Sequence, residues 1–145
     1  MNHSRAQDAA IAAAAGCGAI ALFQVALAAG APLGHAAYGG AQAELTTVLR
    51  TASAGAVVVL SSAALIVLGR ARLWHAARLE QVFRRGTWLF AGVLTVGALM
   101  NFASPSVWEN VIMGPLALVL AILFVIVART ADDGALMPRL ARTPA

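Results

Sequence analysis

Long unbroken apolar runs, set apart by widely spaced charges, dominate the chain; neither strict alternation nor a one-sided helical stripe does. Between Asp8 and Glu44 there is no Asp, Glu, Lys or Arg, and the apolar part of that stretch covers residues 9–29. Further runs cover 51–69, between Arg50 and Arg70, then 86–103, after Arg85, and 110–128, between Glu109 and Arg129. Each approaches the ~20 residues a helix needs to cross a hydrocarbon core about 30 Å thick. No water is present in lipid to satisfy backbone N–H and C=O groups, so each run is expected to be helical. The pattern therefore predicts an all-α fold: one transmembrane domain over residues 1–145, built as an integral membrane four-helix bundle, with a disordered tail from about 130 to 145.

Composition sharpens this reading. The chain is 61% hydrophobic and 11% charged, where soluble domains are about one quarter charged. A soluble protein this apolar would expose large patches and aggregate. The net charge of +4 does not point to nucleic acid. The arginines flank the apolar runs, and no zinc-finger spacing or helix–turn–helix pattern occurs on a polar segment. With the N-terminus inside, Arg5, Arg70, Arg72, Arg78, Arg84, Arg85, Arg129, Arg139 and Arg142 all fall on the inner side, and Arg50 alone falls outside. The positive-inside rule then gives an N-in, C-in topology, in a bacterial cytoplasmic (inner) membrane. Trp88 and Trp74 on the inner side, and Trp108 and Tyr38 on the outer, suit the two headgroup levels. A secretory signal ending near Ala26-Leu27-Ala28 is the competing reading of residues 1–28. Its apolar run is longer than the usual 7–15 residues, and Asp8 weakens the basic n-region.

The connections carry further expectations. Gly30, Pro32, Gly34, Gly39 and Gly40 predict irregular backbone in the first outer segment. The inner segment 70–85 lacks glycine and proline before Gly86. It is expected to continue as helix beyond the spans on either side and to contact anionic lipid headgroups through its arginines and Trp74, Val82 and Phe83. In the first span, Ala12/Gly16 and Ala14/Gly18 are small-x-x-x-small pairs that admit a close helix, from this chain or a partner. Pro115, after Gly114, removes a helix hydrogen bond and is expected to kink the fourth span, freeing the Val111 carbonyl.

No charged residue lies deep in a span. Proton relays, voltage sensors and exporters with a buried carboxylate need one. The deep polar groups are Gln24, Ser61, Ser62, Thr95 and Asn101, which commonly bond a neighbouring helix. Gln24 and Asn101 fall at similar outer depth and are candidates for lining a ligand site. The outer mouth collects Asn101, Glu109, Arg50, Gln24 and His35, the candidate ligand-binding residues, with Glu44, Tyr38, Ser104 and Ser106 nearby. Each also has a structural reading. Ser106-x-x-Glu109 before an apolar run is a capping box, and Glu109 can pair with Arg50. His35 lacks further ligands at a metal-site spacing, and one cysteine, Cys17, excludes an intrachain disulfide. No cofactor, metal or catalytic residue is indicated; an enzyme would need a nucleophile–base pair or a metal cluster within reach, for which His35 with Glu109 is the one candidate.

The stretch Met100-Asn101-Phe102-Ala103-Ser104-Pro105-Ser106-Val107-Trp108-Glu109, followed by Gly114-Pro115, resembles a motif of short, four-span, uncharacterised bacterial membrane proteins. Asn110 and Met113 stand where that pattern has arginine and tryptophan. In size and span number the chain is also similar to DoxX-like proteins and small multidrug exporters, but it lacks the exporters' carboxylate in span one. The resemblance implies a four-span layout and no particular activity. The functional expectation is a non-enzymatic accessory or scaffold subunit, working with a partner membrane protein or as a homo-oligomer. The alternative is a homo-oligomeric small-molecule transporter or binder with a polar pocket at the outer mouth.

Overall fold

A computed structural model of the chain describes the backbone of residues 2–74 and 76–140, and the side chains of residues 4–74 and 76–130. The described chain is all-helical, without strands. Its helices are α1 (Asn2–Ala29), α2 (Thr47–Arg70), α3 (Glu80–Phe102) and α4 (Gly114–Leu140), with a π-helical turn at Glu109–Met113 leading into α4. Three helices are long and apolar enough to cross a membrane: Ser4–Ala29, Thr47–Arg70 and Glu109–Thr130. The third predicted span, 86–103, falls on α3 up to Phe102, with Ala103 as its C-cap. Its apolar residues are diluted by Thr87, Trp88, Gly92, Thr95, Gly97 and Asn101.

α1 packs on α2 and α4, and α3 packs on α4 and more lightly on α2. Small side chains make the contacts close. Ala10, Ala13 and Cys17 of α1, Ala63 and Val67 of α2, and Ala91 and Leu94 of α3 meet Leu120, Ala121, Phe124 and Val127 of α4 in one core. A Cβ added at Gly16 would lie 2.5 Å from Leu120 Cδ2. Of the Ala12/Gly16 pair, Gly16 thus serves a contact within the chain while Ala12 is exposed, and Gly18 faces open space. The Phe90 and Phe124 rings meet edge-on at 6.4 Å. A second, smaller core of Leu27, Ala37 and Leu45, with Phe23 and Leu49, sits beneath the outer segment.

Helix ends show where sequence expectations hold and where they do not. α1 stops at a Schellman motif: Gly30 N–H donates to Leu27 O, Ala31 N–H donates to Ala26 O, and Gly30 takes φ 95°. Glycine at that position followed by Pro32 is the usual stop signal. α2 stops the same way without a glycine. Arg72 takes φ 58°, its N–H donates to Gly69 O, and Leu73 N–H donates to Leu68 O. Helix therefore does not continue through 70–85 as expected. A turn follows Arg70, then a short 3-10 turn at Ala77–Leu79, and only the Glu80 side extends as helix. Trp74 folds back: its Nε1–H donates to Leu65 O at 3.1 Å, and its ring meets Phe83 edge-on at 5.0 Å. Of the tail expected to be disordered from about 130, the backbone to Leu140 belongs to α4, and residues 141–145 lie outside the described residues.

Candidate functional site

Polar groups gather where the segment 30–46 covers the turn from α3 to α4. Glu109 is central. Its Oε2 accepts from the Gly39 N–H at 3.0 Å and from the Ser104 hydroxyl in a very short contact. Gly39 has φ 82°, a conformation that suits glycine and turns its N–H toward the carboxylate. Ser104 Oγ in turn accepts from Ser106 N–H at 3.1 Å, and Ser106 Oγ donates to His35 O at 2.9 Å. The expected Ser106–Glu109 capping box is therefore not formed. Both side chains reach across to the outer segment instead, and the helix start is served by Asn110 N–H donating to Ser106 O.

The expected Arg50–Glu109 pair is not formed either. Arg50 Nε–H donates to Ala28 O at 2.9 Å, and its guanidinium carbon lies 3.1 Å from the place a Cβ would take on Gly30. Arg50 thus secures the end of α1, where the last carbonyls favour a cation. Tyr38 and Ser53 share a hydrogen bond between hydroxyls at 2.9 Å, linking the segment to α2. Thr46 caps α2, accepting from Leu49 N–H at 3.5 Å. His35 Nδ1 lies 2.9 Å from Gly40 O. A carbonyl only accepts, so the proton sits on Nδ1, and Nε2 has no partner among the described residues. His35 and Glu109 are not bonded to each other.

The deep polar residues do not meet. Gln24 Oε1 is buried without a hydrogen-bond partner, and Gln24 and Asn101 share no bond. Thr95 donates to Ala91 O and Ser62 to Val58 O within their own helices, so these hydroxyls do not join neighbouring helices as expected. Asn110, which the sequence reading passed over, donates from Nδ2 to Phe102 O at 2.7 Å and closes the α3–α4 turn.

Pro115 is accommodated by the π turn that precedes it: Gly114 N–H donates to Glu109 O, one residue further back than in an α-helix. The widened turn helps frame a cleft of about 450 Å³ between α1, the outer segment and the start of α4. Phe23, Pro32, Leu33, His35, Ala36, Trp108, Ile112 and Met113 line it. The open space at the mouth is thus largely apolar, with His35 the one ionisable side chain on its wall, while the polar cluster next to it is internally bonded. Among the described residues no three of His, Cys, Asp and Glu gather where they could hold a metal ion. No protein-family model matches the chain, and neither a curated protein nor a solved structure matches it.

Proposed function

We propose that the chain is a small polytopic membrane protein whose four helices cross a bacterial inner membrane as a bundle, N-in and C-in, and that it works as a non-enzymatic accessory or scaffold subunit. The observation that carries this reading is the engagement of Glu109. The mouth carboxylate nearest the α3–α4 turn accepts from Gly39 N–H and Ser104 Oγ, a bracing duty in place of acid–base chemistry. The outward faces of the helices support it too. Leu22, Val58, Leu65, Leu89, Leu99 and Ile122 are exposed apolar residues, suited to lipid or to a partner's helices.

Native mass spectrometry of the chain, extracted gently from its own membrane, tests the proposal. A stoichiometric second protein is the expected result. Substrate turnover or transport by the purified chain alone overturns it.

The apolar cleft supports a second reading, a homo-oligomeric binder or transporter of a small molecule. The same spectra would then show a homo-oligomer retaining a non-protein mass.

A further inference from the structure

We infer that the outer cleft binds one chain of an anionic acyl lipid, with the tail between α1 and the π turn and the carboxylate or phosphate head at His35. The inference rests on the membrane reading above and is independent of the subunit reading. Several observations converge on it.

The cleft volume of about 450 Å³ falls within the ~300–1,000 Å³ common for ligand sites. The wall is chemically divided. Phe23, Leu33, Ile112 and Met113 offer only apolar surface, and His35 is the one ionisable group. No carboxylate lines the cleft. Glu109, the nearest acid in sequence, is engaged by Gly39 N–H and Ser104 Oγ. The cation Arg50 packs on Gly30, two residues before Pro32 of the wall. No carboxylate on the wall therefore repels an anionic head, and His35 is the group left to meet it. With Nδ1–H directed to Gly40 O, the His35 ring is held in place, and Nε2 is left to hydrogen-bond the head through one shared proton, which the acid brings with it or which is taken up with the anion. The site also lies at the outer ends of two membrane-length helices, Ser4–Ala29 and Glu109–Thr130, beside Trp108, where acyl chains meet their headgroups.

The cleft is built in. A Cβ on Gly114 would lie 2.9 Å from the Phe102 ring, so the close seat of α3 on α4 fixes the π turn. π turns of this kind recur at functional sites. Ser106 holds the His35 carbonyl from the other side. The roof and the wall are thus joined before a ligand arrives, which lowers the ordering cost of binding.

The test uses the full chain in phosphatidylcholine vesicles with a palmitate probe that carries a diazirine on its chain. Saturable adducts on Phe23, Ile112 or Met113 are expected, displaced by unlabelled palmitate and, if the source is a phospholipid, by phosphatidylglycerol. Ala36→Phe, which fills the cleft, is expected to cut these adducts about tenfold, as the loss of contact for two or so methylenes implies. Met113→Phe fills it from the opposite wall and guards against a local folding fault in the first variant. His35→Phe keeps the wall apolar but removes the head's partner, so it should weaken capture of palmitate while sparing capture of an uncharged alkane probe. Val58 and Leu65, exposed on α2, report ordinary lipid contact and should label without saturation in every variant. Cleft adducts that never saturate and ignore both filling variants overturn the inference, as does a cleft found crosslinked to a second copy or another protein. Absence of label at Val58 and Leu65 as well would show that the membrane reading itself had failed.

Discussion

Glu109 joins three parts of the chain through one carboxylate oxygen: its own turn, Ser104 just before it, and Gly39 from the segment between α1 and α2. Hydrogen bonds to a charged acceptor contribute more than neutral ones. Glu109→Ala should cost about 2–3 kcal/mol, read as a lowered unfolding midpoint in detergent, and Glu109→Gln should cost less because its amide oxygen can still accept. Gln24 predicts the opposite sign. Its Oε1 is buried without a partner, so Gln24→Met, similar in shape, should leave stability unchanged or raise it by about 1 kcal/mol. A drop of that size would show a partner for Gln24 in the membrane. The sequence marked Glu109, His35 and Arg50 as residues of one mouth, and the structure places them at one end of the helices. It did not reveal these partners, because Gly39 N–H, Gly40 O and Ala28 O are backbone groups. A backbone donor or acceptor distant in sequence has no residue-type signature, whereas a capping box or an ion pair does.

Among the elements, the turn from α3 to α4 is the most constrained. Asn110 closes it on Phe102 O, and Gly114 gives the Phe102 ring its seat. Gly114→Ala places a methyl where the ring lies and should cost about 1–3 kcal/mol, the usual range for overpacking. The check is an unfolding midpoint, together with increased protease access to the 104–108 link. Long apolar runs made the helices legible, and Gly30-Ala31-Pro32 made the end of α1 legible. The end of α2 was not, because Arg72 occupies the left-handed position where glycine is the normal signal. The π turn was half legible: Gly114-Pro115 predicted a distortion, but only the tertiary seat under Phe102 shows the form it takes. The cleft was hidden for a related reason, since its walls come from α1, the outer segment and the π turn, and no local pattern records their approach.

For the whole molecule, the polar mouth and the arginine-rich turn lie at opposite ends of the helices, which makes orientation directly measurable. In a Cys17→Ala background, a cysteine replacing exposed Gln42 should react with an impermeant maleimide added outside intact cells. One replacing exposed Arg78 should react only after the membrane is opened. The reverse result would invert the proposed topology. Burial is also uneven: 28% of the α1 window, 22% of the α2 window and 39% of the α4 window lie inside the fold. Most of the helical surface is therefore left to its surroundings, and α4 is the most enclosed of the three. The bonds from Ser106 to His35 O and from Glu109 to Gly39 N–H span 71 and 70 positions. On the proposed topology, the first exported segment must wait during synthesis on the far side of the membrane, fastened only to its own hairpin. It is latched when the closing hairpin delivers Ser106 and Glu109, so completion of the last helix is what finishes the first loop.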